Sequence, residues 1–182
     1  MLRRIPMVAC FFALAMTAAA QSARAPEYEV KAAFLYNFAK FVEWPSRAFP
    51  GPTTPFQICV LNRDPFRDAL SNIVQGKSSS GRPIVSRAVQ SPADARSCQV
   101  LFISQSDPEI LKQAVERLRD LPVLTVGESD DFLRLGGMIN FVLEQDRVRF
   151  EINLEAAERH HLKLSSKLLA VARVVNVGGG SN

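Results

Sequence analysis

Cys98-Gln99-Val100-Leu101-Phe102-Ile103, followed by Asp107-Pro108 and then Val123-Leu124-Thr125-Val126, is the stretch that decides the fold of this chain. Val100–Ile103 is an unbroken apolar run of strand length, the pattern of a strand buried on both faces. Asp107 stands where a helix cap belongs, and Pro108 suits a first helical turn, so an amphipathic helix is expected from there to about Arg119. Val123–Val126 reads as a second buried strand. A strand, a helix and a strand in that order make a crossover unit, which joins parallel neighbours.

Working outward, the same alternation continues. Upstream, Phe56–Leu61 reads as a strand and Pro65–Val74 as a helix with Pro65 in its first turn. A polar loop, Gln75–Gly81, precedes a weaker strand, Pro83–Val89. Downstream, a short helix near Asp131–Leu135 is expected to stop at Gly136-Gly137. Met138–Leu143 and Val148–Ile152 alternate around the Glu144-Gln145-Asp146-Arg147 turn, as an antiparallel hairpin would. The tail from Leu154 to Val175 is predicted helical with a break, Ser165 or Ser166 capping a last helix, Lys167–Val175. The expected fold is α/β: three layers, α/β/α, on a mostly parallel sheet of five to six strands with an antiparallel edge hairpin.

Residues 27–43 carry a long helical pattern that ends at Trp44-Pro45, because a proline disfavours helix at the residue before it. Residues 46–55, rich in proline, form a loop. The apolar arc of the 27–43 helix, which holds Val30, Ala32, Phe34, Leu35, Phe38, Phe41 and Val42, spans about 200°, against the ~100° a surface helix needs. Such a helix is either deeply buried or shared with a partner, and both readings stay open at this point. Lys31 falls in the middle of the arc, where full burial would strand a charge. The Lys31, Leu35 and Tyr36 edge, with Trp44 beyond it, is therefore the expected surface for a dimer or target contact.

The beginning of the chain has the plan of an export signal. Arg3 and Arg4 precede an apolar stretch, Pro6–Met16, and Thr17-Ala18-Ala19-Ala20 supply small residues for cleavage. Cleavage is expected after Ala20. A cut after Ala25 is disfavoured by Pro26 beyond it, and Cys10 lies too early in the apolar stretch for a lipid-modified cysteine. Losing residues 1–20 also lowers the formal charge of +4 by two. The ~160 residues that remain suffice for one domain, placed at 27–176, with 177–182 expected as a disordered tail. No later run reaches the ~18 apolar residues of a membrane helix. Basic residues are dispersed among acidic ones, so nucleic acid is not an expected partner.

The mature chain keeps Cys59 and Cys98, and an even pair in an exported protein predicts a disulfide. Their separation is 39 residues, which in the chain-entropy picture is worth up to about 4 kcal/mol.

Few residues suggest catalysis. No dinucleotide-binding glycine pattern follows a strand. Gly76-Lys77-Ser78 imitates the end of a phosphate loop but has Ser71 where the first glycine belongs, and it follows a helix. His160 and His161, the two histidines, point about 100° apart on a helix and do not chelate one metal from one face. Ser104 and Ser106 lack the flanking glycines of a nucleophile elbow. No metal, no cofactor and no enzymatic activity are expected. Ligands of an open α/β sheet bind beyond the carboxyl ends of its strands, which singles out Asn62, Arg63, Ser104, Gln105, Gly127 and Glu128 as candidate ligand-binding positions.

Tyr28 to Pro45 (YEVKAAFLYNFAKFVEWP) resembles the opening of the YfiR family. The likeness continues in order through Gly81-Arg82-Pro83-Ile84, Cys98–Ile103, Leu124-Thr125-Val126, Gly136–Phe141, Arg149–Asn153 and Leu164–Leu169. One departure is His161, where the family frequently has glycine before the Leu-x-x-Ser segment. The resemblance implies a periplasmic repressor that binds the periplasmic part of an inner-membrane diguanylate cyclase and holds it inactive, so that release raises cyclic di-GMP and favours biofilm growth. It also implies an outer-membrane lipoprotein as a sequestering partner and a stabilising role for oxidised cysteines. The alternative is a small-ligand-binding sensor module feeding a membrane histidine kinase.

Overall fold

The computed structural model describes residues 11–104 and 108–177, with side chains from Pro26 onward. Arg3, Arg4 and Cys10, the Gln105, Ser106 and Asp107 positions, and the tail from Gly178 lie outside the described residues. Among those described, no helix is long and apolar enough to cross a membrane.

Helix α1 (Phe11–Phe41) runs through Pro26 and leads into β1 (Val42–Glu43). Then come β2 (Phe56–Leu61), α2 (Ala69–Val74), β3 (Ser78–Ser79), β4 (Arg82–Val89), β5 (Val100–Ile103), α3 (Pro108–Arg117) and β6 (Leu124–Gly127). The chain ends with β7 (Ile139–Glu144), β8 (Arg147–Ile152), α4 (Leu154–Arg159), β9 (Lys163–Leu164), α5 (Ser166–Leu169) and β10 (Arg173–Val174). The main sheet has eight strands in the order β10-β8-β7-β6-β5-β2-β4-β3, and β1 pairs with β9 in a separate ribbon. Pairing is parallel from β4 through β2, β5 and β6 to β7; β7–β8 and β3–β4 are antiparallel hairpins. The expected mostly parallel α/β sheet is present and wider than five to six strands. The surplus is β3 and β10, two-residue pairs too short to show a period in sequence. Parallel β10 places the β7–β8 hairpin one strand in from the edge.

Side chains alternate across the sheet and sort into two cores. Phe56, Ile58, Val60, Val100 and Phe102 face α1 and α2, while Cys59, Leu61, Leu101 and Ile103 face α3. α1 lays Ala32, Leu35, Phe38 and Ala39 on the first face, and β1 adds Val42, all buried. Phe34 and Phe41, at the sides of that stripe, pack against the same core. Apart from Val30 at its margin, which is exposed, the 200° arc is core, because the sheet is broad enough for β7 and β8 to cover the flank of α1 as well: Phe34 lies 6.0 Å from Phe141 and 5.1 Å from Phe150 between ring centroids.

Three local expectations change. The Pro65–Val74 helix begins only at Ala69, since Asp64 Oδ1 accepts from the Phe66 N–H at 2.8 Å and Arg67 takes φ 53°. Asp131–Leu135 is a run of turns rather than a helix. It brings the Phe132 ring over Gly127 and Gly137, where added Cβ atoms would lie 2.4 and 2.2 Å from it. The tail holds α4, β9, α5 and β10 instead of one broken helix. α4 ends in a Schellman closure, with His161 N–H donating to Glu158 O at 2.9 Å and Leu162 N–H to Ala157 O at 3.1 Å. That motif needs a left-handed residue, ordinarily glycine. His161 supplies it at φ 61°, so the helix breaks there despite the missing glycine, and Leu162 is buried behind it. The last helix stops at Leu169, with Ser165 Oγ accepting from the Leu168 N–H at 3.3 Å.

Candidate functional site at the carboxyl end of the sheet

From β2 the chain crosses to β4 on one side, and from β5 to β6 on the other. Between β2 and β5 the connections diverge, and an open α/β sheet places its ligand crevice at such a point. A cleft of about 840 Å³ lies there, lined among others by Tyr28, Arg63, Asp64, Phe66, Ser104 and Glu128. Arg63, Ser104 and Glu128 of the expected ligand positions thus meet in one place. Asn62 is not in the lining; its backbone takes φ 60° and its N–H donates to Val89 O at 2.7 Å, a strand-closing role.

The floor of the cleft is a buried ionic knot. Lys31 Nζ donates to Glu128 Oε2 at 2.6 Å and also pairs with Glu27, one helical turn earlier. The Tyr28 hydroxyl donates to Glu128 Oε1 at 3.0 Å, and Lys31 Nζ sits 4.6 Å from the centroid of the Tyr28 ring. Burying an ammonium costs several kcal/mol unless its hydrogen bonds are replaced. Here two carboxylates and a ring face replace them, which is how the Lys31 side chain tolerates 5% exposure. The Tyr28 ring meets Phe66 edge-on at 5.4 Å, so α1, β6 and the loop after β2 are tied at one point. Glu128 is consequently a structural carboxylate rather than a free one.

Lys31 and Leu35 were expected on an exposed edge of the first helix, and the structure corrects this. Lys31 is buried and paired, and Leu35 is fully buried beneath α1. A buried Lys31 was expected to lack a partner; it has two, Glu27 four residues earlier and Glu128, 97 residues away in sequence. Tyr36 is half-buried, with Lys40 Nζ 5.0 Å over its ring. Trp44 is half-buried as well: its indole N–H donates to Gln99 O at 3.2 Å and its ring packs edge-on against Phe56 at 4.9 Å. These contacts anchor the 46–55 loop to the start of β5, helped by Gln99, which donates to Ala48 O at 2.8 Å.

Cys59 on β2 and Cys98 just before β5 form a disulfide, their Cα atoms 6.0 Å apart. The Ser104 hydroxyl donates to Arg63 O at 3.2 Å, shaping the loop. His160 Nδ1 bonds Leu121 O at 2.8 Å, and burial lowers its pKa, with that bond and Asp120 opposing the shift. Among the described residues no three of His, Cys, Asp and Glu converge to hold a metal. Sequence reasoning missed Glu27 and Tyr28 as parts of the knot. The four-residue spacing of Glu27 and Lys31 was a visible signal of a helical ion pair, whereas nothing in sequence marks the contact with Glu128.

The model of the YfiR/HmsC-like family matches residues 28–173, from the Tyr28 of the knot to the first residue of β10. The chain belongs to the YfiR/HmsC-like family.

Proposed function

We propose that this protein is a periplasmic regulatory binding protein that represses an inner-membrane signalling enzyme of the diguanylate cyclase type by direct protein contact. Family membership across the whole folded domain carries the reading. The chemistry of the carboxyl-end cleft supports it: Glu128 is paired with Lys31 and held by Tyr28, and the Ser104 hydroxyl is engaged with a backbone carbonyl. Among the described residues no acid, base and nucleophile stand poised there, as a hydrolase would require.

Deletion of the gene is expected to raise cyclic di-GMP in the host, and re-expression of the protein in the periplasm to lower it again. Unchanged output of every membrane cyclase and kinase in the deletion strain overturns the proposal. A second reading, a ligand-sensing module for a membrane histidine kinase, draws on the cleft itself. It has the size of a small-molecule site, and the exposed Arg63 lines its mouth.

A further inference from the structure

β3 covers only the first two residues of β4, through Ser79↔Arg82 and Ser78↔Pro83. The hydrogen bonds beside this hairpin fix the direction of every later backbone group. Ile84 donates outward to Lys77 O at 2.9 Å, and Val89 O accepts inward from Asn62 N–H at 2.7 Å. Backbone groups alternate in direction along a strand, so the N–H and C=O of Ser86 and Ala88 also point outward. No described strand lies beyond them. Val85, Arg87 and Ala88 are exposed and Ser86 is half-buried.

Sheets ordinarily blunt such an edge with proline, a bulge or an inward charge. Pro83 stands where β3 already covers the strand. The charged residue of the open part, Arg87, is drawn back over the sheet to Gln57 Oε1 and Asp94 O, both at 3.1 Å. Along the edge runs a groove of about 810 Å³ between α2 and the hairpin, lined by Asn72, Gln75, Lys77, Ile84 and Ser86 among others. Alternate side chains of an added strand would enter it. The surroundings are basic. Lys77 and Arg87 form no ion pair among the described residues, nor does Arg96 beyond the turn that packs on β4. Against these three cations stands the Asp94 carboxylate, which accepts from the Ser91 hydroxyl and N–H.

We propose that the outer edge of β4, from Val85 to Val89, accepts an extended acidic segment of the membrane partner as an added strand. This rests on the reading of the protein as one that binds a membrane enzyme. A second copy fits less well, because antiparallel pairing of two β4 edges would bring the two basic sets together.

The test uses the full mature chain and the purified periplasmic domain of the cyclase whose output rises on deletion. Ala88→Pro removes one outward N–H and fills the space of the added strand, yet costs no bond to β2. It is expected to weaken binding by at least about tenfold, the effect of losing a main anchor, with the thermal transition nearly intact. Ser86→Pro should do the same, and the Ser86 and Ala88 amides of the wild type should gain protection from hydrogen exchange in the complex. These amides decide the matter if either variant fails to fold. Wild-type binding with both amides unprotected and both variants equally tight overturns the edge and leaves the repressor reading standing. No binding by the wild type overturns both. A dimer broken by both variants, with cyclase binding unchanged, assigns the edge to a second copy and overturns the proposal.

Discussion

On one face of the sheet the cover is a long helix laid over phenylalanines; on the other it is a ten-residue helix, a run of turns and a disulfide. The first face joins Phe38 to Phe141 and Phe150 at 6.0 and 5.4 Å, and Phe102 to Phe66 at 4.8 Å. Each fully buried ring of this kind contributes about 1.5–3 kcal/mol by leaving water. The second face has one phenylalanine, Phe132, and otherwise aliphatic side chains. The Cys59–Cys98 bond holds its strands together from beneath, and Phe132 fits only because Gly127 and Gly137 have no side chains. The contrast is between a face held by area and a face held by a covalent tie and close fit. The first should fail on insertion of charge, the second on loss of the tie or of a few cubic ångströms.

Leu35→Asp should have the largest effect. A carboxylate at a fully buried position has no partner there and should cost about 4–5 kcal/mol or more, enough to unfold a domain of ordinary stability. Urea unfolding of the purified protein measures it. A transition close to that of wild type would mean that α1 does not hold the first face by burial.

Replacing both Cys59 and Cys98 by alanine should lower stability by about 2–4 kcal/mol. The wild type purified without reductant should yield the linked peptides in non-reducing mapping. Free thiols there, or a double variant as stable as wild type, would show that the second face stands without its tie.

Gly137→Ala probes the fit. Its Cβ would meet the Phe132 ring at 2.2 Å, an overpacking expected to cost about 1–3 kcal/mol. Adding Phe132→Leu should return part of that loss. If the two effects simply add, the ring and the glycine do not share the space.

The smallest effect concerns pH. Burial holds His160 below its ordinary pKa of 6.5, so the unfolded chain binds this proton more readily than the native one. The associated stability is fully present above pH 6.5 and is lost as pH falls from there through the lower folded value. One group can supply at most about 1.4 kcal/mol per pH unit. His160→Asn should flatten the dependence in that window, and an unchanged slope would place its origin elsewhere.

Much of the fold was legible because buried strands announce themselves locally. Val100–Ile103 and Val123–Val126 needed no partner to be recognised, since parallel strands covered on both faces are continuous apolar runs. The Glu144–Arg147 turn was equally plain, flanked by period-two alternation, and Gln145 and Asp146 do take the left-handed angles of a two-residue hairpin. Short pairings were not legible. Two residues of β3 or β10 carry no period, and they exist because a neighbouring strand offers them hydrogen bonds.

The candidate site divides in the same way. Sequence placed Arg63, Ser104 and Glu128 at strand ends, because the carboxyl end of an α/β sheet follows from strand order. It misjudged Lys31 and Leu35, because a helical wheel reports the width of an apolar face and not the breadth of the sheet beneath it. By itself, the sequence determined the α/β class, the family and the cysteine pair available for bonding, all consequences of local pattern and composition. Only the tertiary structure decided which face of α1 is buried, that Glu128 pairs with Lys31, and that no described strand covers the outer edge of β4. Those outcomes depend on contacts between residues far apart in the chain, whose free energy exists only once the sheet has brought them together.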